Sequence, residues 1–141
     1  MSAPVATLQR LLRVRARLRD VAAAGAAQTE AAVVAARRAH GEAEAQREAL
    51  LDRAPLGARS VYALVAHADA IDSAKLAVAD SSKVVQARTA VAHKAAALLG
   101  QRERALRGVE RMLADARAER EARVHKAEQR LADDLASVRR R

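Results

Sequence analysis

Between residues 64 and 113, an apolar side chain stands at every seventh position of the chain. The row consists of Leu64, Ile71, Val78, Val85, Ala92, Leu99, Leu106 and Leu113. A seven-residue apolar repeat maintained over this many turns is typical of a helix in a left-handed coiled coil. The positions that we expect to complete the seam are less apolar: Ala68, Lys75, Ser82, Thr89 and Ala96. The repeat therefore predicts one long helix that buries a narrow seam against another helix.

The two prolines of the chain, Pro4 and Pro55, mark where helices begin and end. Proline is tolerated in the first turn of a helix and interrupts the interior of one. Gly57 can adopt the backbone conformation of a turn, and Ser60 is a plausible N-cap for a following helix. These residues predict an all-α fold, an antiparallel two-helix coiled-coil hairpin in which the second helix is longer and overhangs. The expected bounds within a single domain, 1–141, are helix one at about 4–53, a turn at 54–59 and helix two at about 60–139.

The seam of helix one follows from spacings of three and four residues. We expect it to contain Leu11, Val14, Leu18, Val21, Gly25, Gln28, Ala32 and Ala35. Closing the hairpin across its turn places residue i near residue 112 minus i. Residues 110–141 then remain as an overhang of helix two. This overhang carries an apolar stripe that a single helix cannot bury, which predicts a partner for it: Met112, Leu113, Val124, Leu131, Leu135 and Val138.

Composition disfavours an enzyme. Although 51% of the residues are hydrophobic, only 1% are aromatic, and Tyr62 is the sole ring. A compact enzyme core usually contains several such side chains. The chain has no cysteine, and its four histidines do not stand in a metal-binding motif. We predict no catalytic residue, no cofactor and no metal site. The window Val21–Ala36 contains Gln28 and Glu30 and is too short and too rich in alanine to span a membrane. Arginines interrupt any leader-like stretch, so we expect a soluble protein.

The net charge of +9 is concentrated where the ends of the hairpin meet. The clusters comprise Arg10, Arg13, Arg15, Arg17 and Arg19 in helix one, then Arg102, Arg104, Arg107 and Arg111, and finally Arg139, Arg140 and Arg141. Three interpretations stay open at this point: a solvated, salt-bridged surface, nucleic acid, or a protein partner with an acidic face. Nucleic acid is disfavoured because no aromatic ring lies among these arginines to stack on bases and acidic residues interrupt the basic stripe.

The chain resembles the FliJ/YscO family, the central-stalk proteins of flagellar and virulence type III export machines. The resemblance lies in the architecture, in the basic opening at residues 8–15 (LQRLLRVR) and in residues 61–71 (VYALVAHADAI). It implies a cytoplasmic, non-enzymatic protein at the inner-membrane export apparatus. The implied partners are the hexameric export ATPase, which the open end of the hairpin enters, the cytoplasmic domain of the export gate, and export chaperones.

The resemblance also implies two contact sets. The ATPase-ring set is Arg10, Arg13, Arg17, Val124 and Leu131, and the export-gate set is Tyr62, Leu64, Val65, Ala68 and Ile71. Leu64 and Ile71 also belong to the seven-residue row, so a purely structural role is the competing interpretation for them. Tyr62 lies off that row. Alternative functions are a basic coiled coil that associates with nucleic acid, and a structural protein that self-associates through the helix-two overhang.

Overall fold

The computed structural model describes residues 4–53 and 60–139. Within these ranges the chain forms two helices and no strand: α1 spans Val5–Asp52 (48 residues) and α2 spans Val61–Arg139 (79 residues). The predicted fold class, an all-α two-helix hairpin with a longer second helix, is confirmed. The predicted turn at 54–59 lies outside the described residues.

Both helices begin at the residues that the sequence indicates. The carbonyl oxygen of Pro4 accepts hydrogen bonds from the backbone N–H groups of Thr7 and Leu8 at 2.9 and 3.2 Å. The hydroxyl oxygen of Ser60 accepts a hydrogen bond from the N–H of Ala63 at 3.3 Å. This is the geometry of a serine N-cap, which pairs one of the four backbone donors left free at a helix start.

The structure divides into two compact units. The first unit contains Met1–Val21 and Leu99–Arg141, and the second contains Ala22–Leu98. Each unit includes a segment of α1 and a segment of α2. The expectation of a single domain stays a prediction.

The core of the first unit is small. Leu8 is 3% exposed and packs with Leu113 and Ala116, and Val5 and Leu12 cover this cluster. The predicted register is therefore wrong, because it would place Leu8 beside residue 104. The residue numbers of Leu8 and Leu113 add up to 121, nine more than predicted.

A polar contact gives the same register in the second unit. Nδ1 of His40 lies 2.8 Å from Oγ of Ser81, and these residue numbers again add up to 121. Closing the hairpin about its turn predicts instead that the numbers of facing residues add up to 112. A coiled coil instead adopts the register in which side chains on facing helices interdigitate. In this register Ala36 is level with Val85, so that a small residue faces a larger one.

The predicted phase of the α1 seam is wrong by one residue. Six of its eight predicted members are exposed: Leu11, Val14, Leu18, Val21, Gln28 and Ala35. The other two, Gly25 and Ala32, are half-buried beside the seam. The buried or half-buried row consists of Val5, Leu8, Leu12, Arg15, Arg19, Ala22, Ala26, Thr29, Val33, Ala36, His40, Ala43, Arg47 and Leu50. The arginines occupy seam positions because their aliphatic stems pack while the charged ends reach outward. Nε of Arg47 is nevertheless buried without a hydrogen-bond partner among the described residues.

In α2 the seven-residue row lies in the seam, as predicted, from Ile71 to Leu113. Leu64, the first member, is 47% exposed. The second seam row lies one residue earlier than expected and contains His67, Ala74, Ser81, Ala95, Arg102, Val109 and Ala116. Of the positions predicted for it, Ala68, Lys75 and Ala96 are exposed, and Ser82 and Thr89 are half-buried.

Candidate protein-interaction surfaces

The α2 tail, residues 117–139, is the part of the first unit that protrudes from its core. Every residue of the tail is exposed, whereas Val109, Leu113 and Ala116 are buried. The overhang therefore begins after Ala116, not at residue 110 as the sequence suggested, because the register is shifted by nine residues. Val124 and Leu131 of the predicted ATPase-ring set lie on this tail, 51% and 64% exposed.

A groove lies where the first turns of α1 meet the tail. It measures about 850 Å³, and Val5 and Gln9 form its α1 side. The α2 side consists of Arg117, Ala118, Arg120, Glu121, Ala122, Val124 and His125. The lining of the groove therefore combines apolar and charged side chains, and it includes Val124 of the exposed stripe on the tail.

The arginines of the predicted ATPase-ring set share one face of α1. Arg10, Arg13 and Arg17 are spaced by three and four residues and are all exposed. None of them forms an ion pair with another described residue. Their charge is thus available to a partner.

Other basic side chains are paired within their own helix. The pairs join residues three or four positions apart, with N···O distances from 3.0 to 3.9 Å: Arg38 and Glu42, Lys75 and Asp72, Lys83 and Asp80, Arg107 and Glu103, Arg123 and Glu119. Exposed pairs of this kind contribute less than about 1 kcal/mol each. The interpretation as a salt-bridged surface therefore fits these residues and not Arg10, Arg13 and Arg17.

The predicted export-gate set lies in the second unit at the start of α2. Tyr62 is 89% exposed, Leu64, Val65 and Ala68 are exposed as well, and Ile71 is half-buried in the seam. The register explains this difference. It places Asp52, the last residue of α1, level with residue 69, so the first turns of α2 extend past the end of α1.

Tyr62 and Val65 form part of a shallow groove on this stretch. Val61, Ala66 and Asp69 complete its lining. Residues 62, 65, 66 and 69 share one face of a helix, because they are three, four and seven positions apart. The exposed aromatic ring thus stands on a small apolar face with one carboxylate at its edge.

Sequence reasoning missed a second apolar row on α2. It consists of Ala70, Ala77, Val84, Val91, Leu98, Ala105 and Met112, which again recur every seven residues. Val84, Val91, Leu98 and Met112 are between 44% and 53% exposed. The repeat itself was a usable signal, since each of these residues directly precedes a member of the seam row.

In the described ranges, no group of three or more His, Asp or Glu side chains is placed to hold a metal ion. No helix within those ranges has the length and apolarity needed to cross a membrane. The chain matches no protein-family model, no curated protein and no solved structure.

Proposed function

We propose that this chain is a non-enzymatic stalk or coupling component of a type III export apparatus, flagellar or virulence-associated. It acts in the cytoplasm, peripheral to the inner membrane. The first unit inserts into the hexameric export ATPase through the α2 tail and the arginine face of α1, and the start of α2 contacts the cytoplasmic domain of the export gate. Export chaperones are a further partner class.

The observation that carries the proposal is the α2 tail. All its residues are exposed, yet Val124, Leu131 and Val138 repeat every seven positions along it. A helix with an apolar stripe gains stability by burying that stripe against a partner. The unpaired Arg10, Arg13 and Arg17 supply charges that an acidic ring surface would attract. Contacts of exposed charges are individually weak, which suits a stalk whose partner subunits change state.

Stimulation of the ATPase tests the ring contact. The purified chain is titrated into the hexameric export ATPase from the same source, and we expect the rate of ATP hydrolysis to rise. Val124→Glu with Leu131→Glu should abolish the increase without loss of helicity, because both side chains are exposed. A triple variant should weaken the stimulation of ATP hydrolysis: Arg10→Glu, Arg13→Glu and Arg17→Glu combined.

A triple variant of equal charge change serves as the control. Lys75→Glu, Lys83→Glu and Arg88→Glu alter three exposed basic residues of the second unit. This variant should stimulate the ATPase as the parent chain does. The proposal would be contradicted if the parent chain did not stimulate the ATPase. It would also be contradicted if the control variant lost as much stimulation as the variant of Arg10, Arg13 and Arg17.

The gate contact has a separate test. The isolated cytoplasmic domain of the export gate is titrated with the chain in a calorimeter, and Tyr62→Ala with Val65→Ser should weaken binding at least tenfold. Both side chains are exposed, so thermal stability should not change. Unaltered affinity in this variant would exclude the start of α2 as the gate contact.

Self-association through the α2 tail is the second candidate function, favoured by the same exposed stripe. Sedimentation equilibrium over a hundredfold concentration range distinguishes the two. A dimer that Leu131→Glu converts to a monomer would support a self-associating structural protein. A parent chain that is monomeric at every concentration would exclude this function. Binding to nucleic acid predicts a gel shift that falls steeply with added salt, and no shift at low salt would exclude that function.

A further inference from the structure

The first unit carries a second apolar surface, on the side of the seam and separate from the tail. On α1 it consists of the exposed residues Leu11, Val14, Leu18 and Val21. Their spacings of three and four residues place them on one face of the helix. Val14 and Val21 are 54% and 71% exposed. This face adjoins the seam, since Leu11 directly precedes the seam residue Leu12.

Helix α2 contributes to the same side of the seam. Ala105 and Met112 directly precede the seam residues Leu106 and Leu113. In an antiparallel pair of helices, positions that directly precede the seam row lie on the same side of both helices. Met112 is 53% exposed.

The register brings these positions together. The residue numbers of Leu11 and Met112, and of Leu18 and Ala105, add up to 123, close to the value of 121 within the seam. The six residues Leu11, Val14, Leu18, Val21, Ala105 and Met112 therefore form one apolar strip, which we call the lateral face.

Arginines border the lateral face on both helices. Arg10 and Arg17 lie one turn from Val14 on α1, and Arg104 and Arg111 lie on the outer side of α2. These four side chains form no ion pair with any other residue that the structure describes. Two acidic residues of α2 lie on the same side, Asp115 beside Arg111 and Glu119 one heptad beyond Met112. An apolar strip with a largely basic border is complementary to an apolar strip with acidic borders.

We propose that the lateral face is the docking site for a third helix, supplied by a protein partner, whose apolar stripe is flanked by Asp or Glu. An amphipathic helix that lies along two antiparallel helices buries its stripe against the side chains of both. A second copy of the chain would bring Arg10, Arg17, Arg104 and Arg111 against like charges, which disfavours self-association through this face. The inference does not depend on the proposed role in type III export.

The probe for this site is a stapled, monomeric synthetic helix of three heptads. It has Leu in its stripe, Glu on both flanks and a fluorescent label. A second peptide has Lys in place of Glu, and a third keeps Glu but has Ser in place of Leu. Fluorescence anisotropy measures the affinity of the full chain for each peptide. We expect the Leu/Glu peptide to bind at least tenfold more tightly than either of the others.

Variants locate the binding to the lateral face. Val14→Glu with Met112→Glu should weaken binding of the Leu/Glu peptide at least tenfold, because it places carboxylates in the strip on both helices. Val34→Glu with Leu76→Glu is the matched control. It makes the same charge change at side chains of the second unit that are 59% and 67% exposed, and it should alter affinity less than twofold. Circular dichroism should give both variants the helicity of the parent chain.

Four results would overturn the proposal. They are no binding of the Leu/Glu peptide, equal binding of the Lys or the Ser peptide, equal weakening by both variants, and a concentration-dependent dimer of the parent chain that Val14→Glu with Met112→Glu abolishes. The last would identify a second copy as the occupant of the face. Failure of ATPase stimulation would leave this test unaffected, since the peptides contain no part of the export machinery.

Discussion

Replacing Ser81 with alanine removes the hydrogen-bond partner of His40 from the seam of the second unit. The hydroxyl of Ser81 donates to the carbonyl oxygen of Val78 at 2.9 Å, so its oxygen is free to accept from Nδ1 of His40 at 2.8 Å. Both residues are half-buried. His40→Ala removes the same bond from the other side and also a 3.5 Å contact with Glu44.

The expected loss follows from the environment of this bond. A net intramolecular hydrogen bond contributes about 1 kcal/mol, and a buried donor left unpaired costs about 1–3 kcal/mol. Because His40 is only half-buried, we expect Ser81→Ala to lower the free energy of unfolding by about 1–2 kcal/mol. In a double-mutant cycle the coupling between the two residues should be about 1 kcal/mol, and the contact with Glu44 cancels because it is lost in both arms.

Urea denaturation followed by circular dichroism measures these energies. With a urea dependence of about 1–3 kcal/mol per molar, the midpoint for Ser81→Ala should fall by roughly 0.3–2 M. His125 and Glu128 provide a matched control, because Nδ1 of His125 lies 3.2 Å from Oε2 of Glu128 on the exposed tail. Their coupling should be below about 0.5 kcal/mol.

A coupling between His40 and Ser81 no larger than that of the control would refute the reasoning. It would mean that this contact adds nothing to the seam beyond its packing. If instead the double variant lost its single transition, the hydrogen bond would be shown to specify the pairing of an otherwise small-residue seam, as single polar layers do in other coiled coils.

The register and the boundary of the core give two further predictions. The chain has no cysteine, so introduced cysteine pairs can test the register by non-reducing gel electrophoresis. Ala36→Cys with Val85→Cys should form a disulfide under mild oxidation, whereas Ala36→Cys with Leu76→Cys should not. The opposite result would support the register in which facing residue numbers add up to 112. Leu113→Ala should lower the free energy of unfolding by about 2–4 kcal/mol, because Leu113 is in the core of the first unit. Leu131→Ala on the tail should change it by less than about 0.5 kcal/mol. Urea denaturation measures both variants, and similar losses would contradict the end of the core at Ala116.

Local sequence signals predicted the helices and their ends. The repeat from Leu64 to Leu113, the two prolines and the cap at Ser60 each act within a few residues of the backbone. These signals are sufficient for an all-α hairpin with a longer second helix. They also placed Val124 and Leu131 on an overhang, because an apolar repeat continues past the segment that α1 can cover.

Neither the seam phase nor the register followed from such signals. Helix α2 contains two adjacent apolar rows with the same seven-residue period, one through Val85 and one through Val84. On α1 the row through Leu11 is more apolar than the buried row, which includes Arg15 and Arg19. Hydrophobicity alone therefore favoured the wrong face, because the aliphatic stems of arginine fill a seam as well as shorter apolar side chains do.

The sequence by itself determined that this chain makes two long helices with unpartnered apolar residues and an excess of basic charge. Only the tertiary structure decided which of those residues are buried, because burial depends on how side chains of facing helices interdigitate across residues far apart in the chain. It thereby placed Leu11 and Val14 outside the seam, extended the core to Ala116 and left Tyr62 beyond the end of α1. The surfaces offered to partners are the apolar rows that this packing leaves uncovered.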